Sequence, residues 1–328
     1  MTARIGVTVL NEQQIASVAP PLTEIVAIIE RTYRHAAAGQ AEVPTKIGVH
    51  PDFPASFCHA MPAWVQGERA LGMKWISYYP GNLARDLPDS TGIIILNDAD
   101  TGLPVAIMEG LWITYARTTA CAAAAARRLA NPDPTCLGLI GCGGLGTWSL
   151  RMLSTVFPSL RQVRVASARH DSRIEFCRRM ANEGAWDLRP VDRVEDAVRD
   201  MDIVVSSISK AAAPPAKEAW WSPGTVVIPL DVMSCWDDAA YLRADKVISD
   251  DYEALSRSAA RSRPSLRVPK EKHLALEDVV AGKVAARSGP GDRIMAIPTG
   301  VASVDVTLGW EIFRRARDAG LGTTLMLT

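Results

Sequence analysis

Residues 137–146 read Leu-Gly-Leu-Ile-Gly-Cys-Gly-Gly-Leu-Gly. Gly141, Gly143 and Gly146 have the spacing G-x-G-x-x-G, directly after the apolar run 137–140. Leu145, Trp148, Met152 and Val156 then share one helical face. Strand, glycine turn and helix in that order are the context in which this spacing binds a dinucleotide. The first glycine makes the tight turn, the second lets backbone approach a pyrophosphate, and the third lets helix and strand pack closely. Backbone N–H groups of Gly144 and Leu145, at the helix start, would receive the pyrophosphate. The plain alternative is a glycine-rich turn with no ligand.

Two further positions could do chemistry. About 20 residues past the glycines, an NAD-preferring fold usually carries an acid that holds the ribose 2′-OH. Here the strand 163–167 ends on Ser167, followed by Ala168 and Arg169, with no carboxylate at the tip. A hydroxyl and a guanidinium suit a 2′-phosphate, so NADP(H) is favoured over NAD(H). Asp171 would restore NAD(H) if the strand ran further, and Arg169 could simply be an exposed arginine at a helix start. Asp231 follows the apolar residues 226–230, at the carboxyl edge where open α/β sheets place ligands. As an acid or base it would need a pKa nearer neutrality, which burial supplies. Otherwise it caps a turn.

These groups need a sheet to position them, and the rest of the chain has one. Beyond residue 137 apolar strands and helices alternate: a strand at 163–167, a helix at 172–183, and strands at 203–208, 225–230 and 246–249. That is the pattern of a doubly wound parallel sheet. Ahead of it, residues 4–10 read as a strand, and Leu22, Ile25, Val26, Ile29 and Tyr33 keep helical spacing before Gly39. Strands with turns are expected over 43–65, a strand over 72–78, and a hairpin from 93–96 and 104–108. A long helix follows, with Met108, Leu111, Trp112 and Tyr115 on one face and Ala122 to Ala126 beyond. Asn131-Pro132-Asp133-Pro134 stops it and reads as a domain boundary, unless the two domains share the helix. Residues 256–272, with Arg257, Arg261, Arg263, Arg267, Lys270 and Lys272, read as an irregular basic surface loop. A phosphate or partner contact is the lesser reading. A helix over 301–317 ends the pattern.

Composition narrows the class. The 328 residues carry a formal net charge of zero, so no global field draws nucleic acid or a membrane surface. Six scattered cysteines, with no C-x-x-C pair, fit a reducing compartment rather than a disulfide framework or zinc ribbon. The five histidines have no metal-ligand spacing. The first residues lack a signal-peptide core and no apolar run approaches a membrane span, so a soluble cytoplasmic protein is expected.

Several blocks together resemble the ornithine cyclodeaminase and mu-crystallin family. They are Ala60-Met61-Pro62-Ala63-Trp64, Gly72-Met73-Lys74-Trp75-Ile76-Ser77 and Tyr79-Pro80-Gly81-Asn82. Ile95-Leu96-Asn97-Asp98, Thr101-Gly102-Leu103-Pro104, Glu109-Gly110 and Ala116-Arg117-Thr118-Thr119-Ala120 continue the series. The glycine turn and Pro298-Thr299-Gly300-Val301-Ala302 complete it. The blocks at 74–77 and 80–82 look most like the branch acting on N-substituted amino acids in diaminopropionate biosynthesis.

The resemblance implies an α/β fold: a Rossmann-type doubly wound parallel sheet plus a discontinuous α/β domain for substrate binding and dimerisation. The domains implied are 1–118 with 303–328, and 119–302. Members interconvert imino and amino acids with a nicotinamide cofactor, and some cyclise ornithine with ammonia loss. Mu-crystallin adds a non-enzymatic, cofactor-loaded binding role. An NAD(P)-dependent oxidoreductase of α-imino and α-amino or N-substituted amino acids leads, acting on a small substrate as a homodimer. A redox-neutral cyclodeaminase and a binding protein are the alternatives.

Residue by residue, the resemblance makes Lys74 a substrate-carboxylate ligand with a possible share in proton handling, and Asp231 the group acting at nitrogen. Arg117, Lys46 and Met61 join the substrate site. Taken alone, Lys74 could snorkel from a strand end and Arg117 could pair with an acid on a helix face. Lys46 stands where many members carry arginine, and supplies charge without the bidentate fork. Ser206, Ser207 and Ile208 are placed along the cofactor ribose, and Thr299 and Gly300 against the nicotinamide.

Overall fold

Strands Phe57–Val65, Ala70–Tyr78, Ser90–Asn97 and Pro104–Glu109 pair antiparallel, each with the next. Successive side chains of a strand point to opposite faces. Met61, Ala63, Val65, Ala70, Lys74, Ile94, Leu96, Ala106 and Met108 are all buried on one face. On the other, Trp75 and Ile93 stay 39% and 41% exposed. Gly6–Leu10 extends the sheet in parallel with Pro104–Glu109, and Thr323–Met326 closes that edge antiparallel to Gly6–Leu10. Ala41–Glu42 and Ile47–Val49 both pair with Phe57–Val65. The helix Ala302–Asp318 packs on the inner face, with Gly309 against Ile94, Leu96 and Met108. The helix Leu22–Ala37 packs beside it, burying Ile25, Val26, Ile29 and Tyr33 as their spacing predicts.

The computed structural model describes residues 4–53, 55–209 and 211–328. The chain divides into two units, Met1–Arg117 with Val301–Thr328, and Thr118–Gly300. The division falls inside the helix Leu111–Leu129, after Arg117. Met108, expected both at the end of the hairpin and on this helix, lies in the strand Pro104–Glu109 and not on the helix. The cause is Glu109, whose carboxylate accepts the N–H groups of Leu111 at 2.6 Å and Trp112 at 2.9 Å and so starts the helix two residues later. Glu109→Ala is expected to cost about 1 kcal/mol, as removal of a helix cap does. Urea denaturation would read it as a lowered midpoint at unchanged slope.

In the second unit eight strands are all parallel, in the order Asp187–Pro190, Gln162–Ala166, Cys136–Ile140, Ile203–Ser206, Val226–Pro229, Ile294–Ile297, Lys246–Ser249, His273–Ala275. The winding reverses between Cys136–Ile140 and Ile203–Ser206, which opens a ligand crevice at their carboxyl ends. Ile294–Ile297, absent from the sequence reading, is a fully buried central strand of four residues. The basic stretch is an irregular loop only beyond residue 262. Residues up to 262 belong to the helix Tyr252–Ser262, because Ala254, Leu255 and Ala259 give it an apolar face and Asp251 caps it. Leu266 and Val268 enter the core. Arg263 donates to Asp238 and to the Met233 carbonyl, and Lys272 to the carbonyls of Leu242 and Ala244. Among the described residues no helix is long and apolar enough to cross a membrane, and no cluster of acidic, His and Cys side chains could hold a metal.

Candidate active site: a glycine cradle and a buried charge cluster

Each unit gathers its own set of the expected residues. In the second, Gly141 adopts φ +116°, and a Cβ there would lie 2.5 Å from the Ser207 carbonyl oxygen. A Cβ on Gly146 would lie 2.3 Å from the Gly141 oxygen. Only glycine serves at either position. Gly143 differs, because its Cβ would meet nothing within 4 Å. It stands at the N-cap of the helix Gly144–Val156, which has no side-chain cap. Open space over Gly143 and an uncapped helix start at Gly144 and Leu145 fit a pyrophosphate. Gly146→Ala is therefore expected to disrupt the fold of the turn. Gly143→Ala should leave thermal stability of the free protein nearly unchanged while weakening dinucleotide binding about tenfold or more, read by calorimetric titration.

The strand Gln162–Ala166 ends before Ser167, which is half-buried, and Arg169, which is exposed at the N-cap of the helix His170–Met180. Asp171 lies in the first turn of that helix and not at the strand tip. There its charge complements the positive end of the helix dipole. Arg173 donates to the Ser167 carbonyl at 3.0 Å and pairs with Asp192.

Asp231 follows the strand Val226–Pro229 and reaches the next crevice edge. Its carboxylate accepts the N–H of Ile208 at 3.1 Å and of Cys235 at 3.3 Å. Burial pushes its pKa up to about 6 against the pull of those N–H groups. The next residue, Val232, adopts φ +57°, a costly conformation for a β-branched side chain. Tyr241 holds the strained segment by donating its hydroxyl to the Val232 carbonyl at 2.6 Å. Strain of this kind is stored where a neighbouring group must be aimed. Ser206 ends the adjacent strand and Ser207 and Ile208 follow it, with Ser207 N–H bonded to the Ile140 carbonyl. Thr299 and Gly300 are organised by Asp250, which the sequence reading did not single out. Its carboxylate accepts the Thr299 N–H and hydroxyl, both at 2.7 Å, and the Gly300 N–H at 3.2 Å.

In the first unit Lys74 and Arg117 meet on a third residue that sequence reasoning missed. Asp305 Oδ1 accepts Lys74 Nζ at 2.6 Å and Arg117 Nε at 2.8 Å. Lys74 is 1% exposed and Asp305 0%. Met61 lies directly across from Lys74 in the strand register, so the two side chains share a face. Thr114 Oγ1 lies 3.5 Å from Lys74 Nζ. Lys46, half-buried, adds a further positive charge to the surroundings of Lys74. Burial, helped by Arg117 and Lys46 and opposed by Asp305, lowers the Lys74 pKa to about 7. The signal for Asp305 was an acid set in Ala302-Ser303-Val304-Asp305-Val306, a segment otherwise small and apolar. A helix that is apolar all round is buried, and so is a charge within it.

An open parallel sheet with a glycine cradle, in one chain with a unit that buries a cation pair on a carboxylate, defines an α/β protein of the dinucleotide-binding class. The sequence profile of the ornithine cyclodeaminase/mu-crystallin family matches residues 7–320, and the chain belongs to that family. It is 32% identical over 314 residues to the nodulation efficiency protein NfeD of Rhizobium meliloti, covering 96% of this chain and 97% of that one. It is 29% identical over 281 residues to N-((2S)-2-amino-2-carboxyethyl)-L-glutamate dehydrogenase of Staphylococcus aureus, covering 82% and 81%. A solved archaeal alanine dehydrogenase dimer with bound NAD has a TM-score of 0.87 at 25% identity, over 99% of this chain and 100% of that one.

Proposed function

We propose that the chain is an NAD(P)-dependent oxidoreductase that interconverts an α-imino acid and an α-amino or N-substituted amino acid. The observation that carries this reading is the buried cluster of Lys74, Asp305 and Arg117. Two cations converge on one buried carboxylate oxygen, and side chains of that charge suit the single carboxylate that imine and amine share. The bound nicotinamide supplies or accepts the hydride. Lys74 and Arg117 hold the substrate carboxylate, with Met61 beside them and Lys46 adding charge. Asp231, with a pKa of about 6, gives a proton to the nitrogen in reduction and takes one in oxidation. Gly141, Gly143, Gly144, Leu145 and Gly146 carry the pyrophosphate. Ser167 and Arg169 favour NADP(H), because neither offers a carboxylate to the ribose and both offer donors to a 2′-phosphate.

The reading includes a homodimer. Ile47, Ala60, Trp75 and Ile93 are register partners in a row across the outer face of the first sheet, and Ile47, Trp75 and Ile93 are exposed. Exposed apolar surface of this kind marks an association face.

The testing experiment follows reduced-nicotinamide absorbance with NADPH and NADH offered separately. The substrates are a panel of cyclic imino acids, and of 2-oxo acids with amines. Consumption favouring NADPH is the expected result. Ammonia released from a diamino acid, with no net change in nicotinamide, would replace this reading with a cyclodeaminase.

A further inference from the structure

The reaction outlined above uses none of the atoms of Asp305, yet this carboxylate is fully buried between two cations. Both cations bond the same oxygen, Oδ1, while Oδ2 is buried without a hydrogen-bond partner among the described residues. A salt bridge made only for stability commonly uses both oxygens in a bidentate fork. Here Arg117 engages through Nε, and half of the carboxylate is spent on nothing. Leaving a buried acceptor bare is costly, and such groups call for an explanation other than stability.

The charges around Lys74 suggest what that explanation is. Arg117 faces it from the helix Leu111–Leu129, together with the uncharged Thr114. Lys46 acts from the segment before Ile47–Val49, and Met61 lies across the sheet. Asp305, from the helix Ala302–Asp318, brings a negative charge into hydrogen-bond contact with Lys74. Without it, burial and two positive neighbours all act to strip the lysine of its proton.

We propose that Asp305 is a positioning residue whose single buried oxygen holds Lys74 and Arg117 on a common point and keeps the Lys74 ammonium charged, so that it sets the affinity for the substrate carboxylate. This rests on Lys74 being the carboxylate ligand, and adds the residue that governs its charge. Substrate recognition is then tied to a group in the last helix of the chain that the substrate need not touch.

The test begins with a measurement that needs no turnover. The Lys74 side-chain resonances are followed by heteronuclear NMR against pH in the full-length protein, assigned with Lys74→Met. Asp305→Asn should move the Lys74 titration down by roughly one to three pH units, and Asp305→Glu should leave it near the wild-type value. In kinetics, KM should rise with pH as Lys74 loses its proton. In Asp305→Asn that rise should begin at correspondingly lower pH, with kcat changing far less. An unshifted Lys74 titration, together with a KM profile merely scaled up, would overturn the proposal.

If Asp305→Asn does not fold, the pair Lys74→Met/Asp305→Asn removes cation and anion together. Its KM should be flat over the pH range in which wild-type KM rises, and a persisting rise would overturn the proposal. Absence of imino-acid turnover in the wild type would instead sink the functional reading, while the NMR titration would still decide the role of Asp305.

Discussion

Asp231→Asn is expected to lower turnover a hundred- to ten-thousand-fold, the usual contribution of a positioned acid or base, with dinucleotide affinity nearly unchanged. Asparagine keeps the size of the side chain and an oxygen for the N–H groups of Ile208 or Cys235, but it cannot exchange a proton. The pH profile sharpens the test. With a pKa of about 6, Asp231 is ionised at neutrality. Oxidation of the amino acid, which needs the base, should therefore fall off below pH 6. Imine reduction, which needs the acid, should gain there. Steady-state rates in both directions would show opposite limbs in the wild type and neither limb in Asp231→Asn. A variant retaining turnover within about tenfold of wild type would reduce Asp231 to a cap of the strained turn at Val232.

Lys74→Met is the second large effect, and it has two readouts of different sign. Losing a charge-assisted contact to the substrate carboxylate should raise KM by roughly ten- to a hundredfold. Stability behaves differently. In the unfolded chain a lysine keeps its proton to about pH 10. In the fold Lys74 releases it near 7. Between those values the unfolded state binds the extra proton, so this residue makes the fold more stable as pH rises. Substrate affinity moves the other way over the same range, because the neutral amine no longer attracts the carboxylate. Denaturant titrations from pH 7 to 10 should show a rising contribution in the wild type that Lys74→Met lacks. An identical pH slope in both proteins would mean that Lys74 titrates normally, and is not in the environment described.

The legibility of these sites in the sequence depended on how local their logic is. The glycine turn could be read because a strand, three glycines and a helix lie within twenty residues, and two of the glycines are sterically required. The parallel sheet was legible from alternation, although its strand Ile294–Ile297 was not read. Lys74 and Arg117 came from blocks resembling a family, and the chemistry of either residue alone would not have separated a ligand from a surface cation. Asp305 and Asp250 were passed over because what each one does depends on residues far along the chain. Asp250 and Asp251 are adjacent, yet one organises residues 299 and 300 and the other caps the helix that starts next to it. The first part of the basic stretch misled because its cations dominate the composition, while three small or apolar residues decide that the chain is helical up to Ser262.

The bond between Lys74 and Asp305 closes 231 residues of chain. At ribosomal rates of about 5–20 residues per second, roughly ten to fifty seconds pass between the appearance of the lysine and of its partner. The glycine-cradle unit, Thr118–Gly300, is continuous and is complete before Asp305 exists. The first unit has its sheet strands early but must wait for Val301–Thr328 to cover the inner face. Nascent chains therefore spend that interval with the glycine-cradle unit finished and the sheet of the first unit still open on its apolar face, the state in which a chaperone would find most to hold. Losing even the final helix would leave the lysine made, uncovered and unpaired.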